Sequence, residues 1–102
     1  MQIEVISEDK AITAEVRAYA EYRLFAILAR YAGFVRSTRV IFRRSGRDGT
    51  GGRIVCAVTV ALEPSGYARA RASNSLVYRA IDRATERVGE LMSRRVEPRS
   101  PT

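Results

Sequence analysis

Along this chain the spacing of apolar positions switches between two and about 3.6, and each switch marks an element. Gln2 to Ile6 alternates and predicts a first strand with Ile3 and Val5 inward. After the polar connection Ser7 to Lys10, Thr13 stands where an N-cap belongs, and Glu15 places a negative charge in the first turn. A helix follows over 14–31, its buried stripe made of Val16, Tyr19, Ala20, Leu24, Ile27, Leu28 and Tyr31, with Gly33 placed to end it.

Period two returns at Val35 to Arg44, with Thr38, Val40 and Phe42 facing one way and Arg39, Ile41 and Arg43 the other. Ser45 to Gly52 reads as a flexible hairpin loop; it lacks a terminal Gly-Lys-Ser/Thr and leads into no helix, so it is not a phosphate loop. Arg53 to Leu62 is the clearest strand. Glu63-Pro-Ser-Gly66 is a turn signal, and Tyr67 to Ser73 then alternates strictly, with Ala68, Ala70 and Ala72 inward and Arg69 and Arg71 outward. The last long segment, Ser75 to Arg95, places Val77, Tyr78, Ile81, Ala84, Thr85, Val88, Leu91 and Met92 on one helical face.

The order strand, helix, three strands, helix predicts an α+β domain of β-α-β-β-β-α form. Three consecutive strands joined by short turns make an antiparallel meander, and the first strand joins their sheet after crossing over on the first helix. Each helix has an apolar face for the core, so the expectation is a four-stranded sheet with two helices packed on one face. The 102 residues are enough for one such domain, taken as 1–96. Residues 97–102 have nothing apolar to fold with and are expected to form a disordered tail.

Charge changes this picture from fold to partner. The net charge is +7, from 18 basic and 11 acidic residues, and Lys10 is the single lysine. Residues 1–29 carry a net −2 and residues 30–102 a net +9, an asymmetry that suits a basic surface facing a polyanion. Opposite the apolar stripe of the last helix, Arg79, Arg83, Arg87 and Arg94 fall within a narrow arc, with Glu86 and Glu90 between them. This is either a solvated face with local ion pairs, Glu90 to Arg94 being the best placed, or a phosphate-binding ridge. On the first helix the face opposite the stripe gathers Ala18, Tyr22, Phe25 and Ala29 where charges are expected, which offers a face for a partner or a homodimer.

With no histidine and one cysteine, there is no disulfide framework, no ordinary zinc site and no His-based triad. Cys56 alternates with Ile54, Val58 and Val60 and reads as a small buried hydrophobe. No catalytic residue, metal or cofactor is expected, and the chain is not read as an enzyme. No apolar run approaches the roughly 18 residues that span a bilayer, so the expectation is a cytoplasmic protein with no membrane partner.

Several stretches, taken in order, resemble the ribosome hibernation-promoting factors, also called ribosome-associated inhibitors or sigma-54 modulation proteins. They are Met1-Gln-Ile-Glu-Val5, Ile12-Thr13 with Val16-Arg17, Leu28 with Tyr31, the span Gly66 to Ala72, and Val77-Tyr-Arg-Ala-Ile-Asp82. The likeness is to the short forms. It implies a fold shaped like double-stranded RNA-binding domains, and binding to ribosomal RNA of the small subunit in the channel of messenger RNA and tRNA anticodon ends, which silences translation under stress. Carried over by position, the RNA contacts implied are Arg23 and Arg30 on the first helix and Arg83, Arg87, Arg94 and Arg95 on the second. The chain departs from the family pattern at Glu90-Leu91, where a basic residue and glutamine are usual, and at Ser7 and Glu8, where glycine-like residues are usual. The rival reading keeps the fold, gives up the ribosome, and uses the Tyr22 and Phe25 face to bind a protein.

Overall fold

The computed structural model describes residues 2–45 and 52–96. Its elements run β1 (Ile3–Ile6), α1 (Ala14–Leu28), a 3-10 segment (Ala29–Phe34), β2 (Val35–Arg44), β3 (Ile54–Leu62), β4 (Tyr67–Asn74) and α2 (Val77–Val96). The strands lie in sequence order in one sheet. β1 pairs parallel to β2, and β2, β3 and β4 are mutually antiparallel. The expected crossover and meander are both present. Most of the loop read from Ser45 to Gly52, and the tail 97–102, lie outside the described residues.

Alternation decides which face of the sheet is covered. Thr38, Val40 and Phe42 on β2, every second residue of β3 from Ile54 to Leu62, and Ala68 and Ala72 on β4 are buried. Both helices contribute to the same core, through Val16, Ala20, Leu24 and Leu28 of α1 and Ala80, Ile81, Ala84, Val88 and Met92 of α2. Ile81, Val88 and Met92 are fully buried, each contributing roughly 1.5–3 kcal/mol of transfer free energy. Where α2 packs on β4, both sides are lined with buried alanines. The absence of bulk there lets helix and strand approach closely.

Three local expectations are corrected. α1 stops at Leu28 and tightens into the 3-10 segment through Phe34, so Tyr31 is buried from that segment and not from an α-helix. Gly33 lies within it rather than at a left-handed cap; among the described glycines only Gly66 has positive φ, at 101°. In α2, Tyr78 is exposed and Ala80 takes a buried place instead. The Tyr78 ring meets Tyr19 edge-on with centroids 4.9 Å apart, a contact that keeps it at the helix margin. Thr13 caps α1 as expected, its hydroxyl accepting from the Val16 amide at 3.2 Å.

The β3–β4 turn and the free edge of the sheet are fixed by backbone bonds. The Leu62 amide donates to the Gly66 carbonyl at 2.9 Å, and the positive φ of Gly66 is a geometry that costs other residues. Counting outward from that pair, the Arg71 and Ser73 carbonyls point away from β3. Arg87 of α2 donates to the first and Arg53 to the second at 3.3 Å. Arginine thereby blunts an edge that would otherwise offer itself to another strand.

Candidate nucleic-acid interface

The arginines expected to meet RNA are sorted by the fold into separate environments. Arg79, Arg83 and Arg94 stand exposed on the side of α2 away from the core. Arg87 lies at the margin of that ridge and turns toward β4, where it holds the Arg71 carbonyl. Arg95 sits in the last turn with its guanidinium against the Gly66 turn, and the C-terminal end of a helix favours both cations there.

Arg23 has a different setting. Its Nε lies 3.4 Å from Asp82 Oδ1, and its Nη2 donates to Thr85 Oγ1 at 3.5 Å. The same Asp82 oxygen accepts from the Tyr19 hydroxyl at 2.6 Å, and Thr85 in turn donates to the Asp82 carbonyl at 3.0 Å. The cluster ties α1 to α2. Tyr19 titrates above its ordinary value of 10.0, first because its proton is held by the Asp82 carboxylate and second because burial disfavours the phenolate.

Arg30 and Arg94 are brought together from opposite helices along an open groove of about 910 Å³, whose walls also carry Glu86, Glu90 and Gly89. The Arg30 guanidinium lies 5.5 Å from the Tyr31 ring centroid. Two carboxylates make this groove electrically mixed. The crest of α2 beside it is arginine-rich, with Arg79, Arg83 and Arg94 exposed and Glu86 and Glu90 between them. Among the described residues the ion pair that spacing allows between Glu90 and Arg94 is not formed.

The Tyr22 and Phe25 side chains are exposed, at 68% and 56%. With Ala18, Glu21 and Ile3 they border a shallow depression of about 450 Å³, and Ala29 is exposed just beyond the end of α1. Cys56 is buried in β3, and burial pushes its thiol up to about 12, so it stays protonated and unreactive near neutrality. Asp82 was not anticipated as a partner of Arg23. The two lie 59 positions apart, and nothing short-range in the sequence signals that they meet.

The description sigma 54 modulation protein and S30EA ribosomal protein belongs to a family model that matches residues 3–99. The chain belongs to this family. The S30EA family is ribosome-associated, which makes the ribosome the partner of this chain. No curated protein sequence matches the chain. Among solved structures, a ribosomal subunit interface protein from Coxiella burnetii is similar with a TM-score of 0.79 and 17% identity, over 97% of this chain and 100% of that one. At that identity the likeness bears on the fold, and the β-α-β-β-β-α order is common to both. No helix among the described residues is long and apolar enough to cross a membrane.

Proposed function

We propose that this S30EA family member binds the small ribosomal subunit through the arginine crest of α2 and inhibits translation by occupancy, with no chemical step and no cofactor. The observation that carries the proposal is the exposed run Arg79, Arg83 and Arg94 on the side of α2 opposite the core, in a chain whose family is ribosome-associated. Arg30 and Arg87 flank the crest, and Arg95 beside the Gly66 turn and Arg23, which holds α2 in place through Asp82, are the further phosphate contacts of this reading. The guanidinium groups neutralise ribosomal RNA phosphates, and the folded body excludes messenger RNA and tRNA. Binding to the ribosome places the protein in the cytoplasm.

Co-sedimentation with purified small subunits across a salt series tests this. Neutralising about six phosphates gives a slope of log affinity on log salt of roughly −4 to −5. Replacing Arg79 and Arg83 by glutamate abolishes pelleting at near-physiological salt, whereas each neutral replacement lowers the slope by about 1. Pelleting that ignores salt, or that survives the double charge reversal, defeats the proposal.

A second reading is favoured by one observation, the exposure of Tyr22 and Phe25 beside the depression at Ile3. Here the fold serves as an interaction module and α1 forms a homodimer through Ala18, Tyr22, Phe25 and Ala29. Phe25→Asp then yields monomer in sedimentation velocity, whereas charge reversal at Arg83 and Arg87 leaves the dimer intact. A wild-type chain that is monomeric at high concentration removes this reading.

A further inference from the structure

Among the described residues no element covers the face of the sheet turned away from both helices, and its residues are ordered by the strand register. On β3 the outward positions are Val55, Ala57, Thr59 and Ala61, all small and half-buried. On one side Arg39 and Arg43 of β2 stand opposite Thr59 and Val55. On the other, Arg69 and Arg71 of β4 stand opposite Thr59 and Ala57, and Tyr67 opposite Ala61. All four arginines are exposed. The result is a trough with a low floor along β3 and arginine rails on both sides, roughly 10 Å apart at two strand spacings. At its Tyr67 end it contains a depression of about 540 Å³.

Two further features narrow what fits there. The Arg69 guanidinium lies 4.7 Å from the centroid of the Tyr67 ring, which is itself 50% exposed, giving a flat cation–π platform beside the rail. The only carboxylate that these strands place on this face is Glu4 of β1, paired with Arg39 at 3.2 Å with both side chains 59% exposed. A surface pair of this kind is weak and exchanges readily for a phosphate. Arg69 and Arg71, two apart on β4, are about 6.8 Å apart, close to the spacing of successive phosphates along an extended polynucleotide, whereas Arg39 and Arg43 on β2 are four apart with Ile41 between them.

We propose that this uncovered sheet face is a second nucleic-acid surface, and that it takes a single strand of RNA with its phosphates along the arginine rails and a base stacked at Tyr67. A single strand is favoured over a duplex because the small floor and the Tyr67–Arg69 platform offer contacts to base faces, which a duplex hides within its own stack. An acidic peptide would use the rails but leave the platform idle. This surface lies on the opposite side of the molecule from the α2 crest, and its occupancy does not depend on the reading of that crest.

Fluorescence anisotropy with a labelled twelve-nucleotide oligouridylate, a mixed-sequence duplex RNA and a polyglutamate peptide tests the proposal on the full chain. The single strand binds at least tenfold more tightly than either competitor. Arg69→Glu with Arg71→Glu weakens it at least tenfold, and Arg69→Gln with Arg71→Gln gives a smaller loss should the reversal disturb folding by circular dichroism. Arg79→Glu with Arg83→Glu costs less than about threefold. Tyr67→Ala costs about tenfold, consistent with the loss of one stacked base. Equal affinity for the duplex or the peptide, or equal loss from the sheet and crest variants, overturns the proposal. Small-subunit pelleting of the same two variants is read separately, so failure of ribosome binding and failure of the sheet surface are distinguishable.

Discussion

In α1 both arginines are committed inside the molecule, whereas in α2 most are left to solvent. Arg17 donates to the carbonyls of Val5 at 2.9 Å and Ser7 at 3.2 Å, and Arg23 is held by Asp82. Each is adjacent in sequence to a residue of the buried stripe, Val16 or Leu24, and so is turned about 100° from it. Arg87 lies about 100° from the stripe of α2, and it too is taken up, by β4. Arg79 and Arg83 lie more nearly opposite, Arg94 lies between Arg83 and Arg87 at about 120° from the stripe, and all three are exposed. An arginine on the flank of an apolar stripe can lay its stem along the protein and reach a fixed acceptor. One opposite the stripe has only solvent or a partner within reach.

The outward faces differ in the same way. α2 turns arginine outward and α1 turns Tyr22 and Phe25 outward. The two outward faces therefore differ in chemistry, one arginine-rich and one aromatic.

The most severe way to break the comparison is to remove the side chain that seats α2. Ile81 is fully buried, and Ile81→Ala costs about 3 kcal/mol by urea denaturation, taking crest and core together. Next is the tie between the helices. Tyr19→Phe costs about 1 kcal/mol, and its pH dependence identifies the bond. The folded state holds the Tyr19 proton above its ordinary 10.0, so the unfolded chain releases it first. The gap between wild type and variant is therefore full below pH 10 and closes as pH rises through the raised folded value. A gap that stays constant to high pH would remove the Tyr19–Asp82 bond from the account.

A smaller effect sharpens the comparison in the other direction. Gly89 faces α1, and a Cβ there would meet Ile27 Cγ2 at 3.4 Å, an ordinary contact. Gly89→Ala raises stability by up to about 1 kcal/mol, because the helix interior gains propensity without a clash. Its crest arginines are untouched, so subunit pelleting stays as in wild type. The smallest change in stability, about 0.5 kcal/mol, is expected of Phe25→Asp on the exposed face of α1. Thermal unfolding measures that cost, and any larger loss would show that Phe25 packs more firmly than its exposure implies.

What the amino-acid sequence determined by itself is the set of elements and their covered sides. Alternation from Thr38 to Arg43, after the irregularity between Val35 and Ser37, and from Ile54 to Leu62, together with the apolar stripe of α2, leaves one side of each element to water. These are local periodicities, legible wherever they are regular. They become illegible where period and end signal disagree, as between Leu28 and Phe34, where a 3-10 segment replaces the last α-helical turn. Tyr78 failed for a related reason, since period alone cannot say that a residue at the margin of a stripe will be drawn to Tyr19.

The tertiary structure alone decided which charges remain available. Arg23, Arg30 and Arg83 are the same residue type on helical segments, and only the arrival of Asp82 beside Arg23 or of Glu86 and Glu90 across the groove from Arg30 distinguishes them. Likewise the outward arginines of β2 and β4 become rails only when β3 lies between them in register. Periodicity follows from neighbours a few residues apart, but ion pairs and surface electrostatics depend on groups that the chain brings together only after it folds.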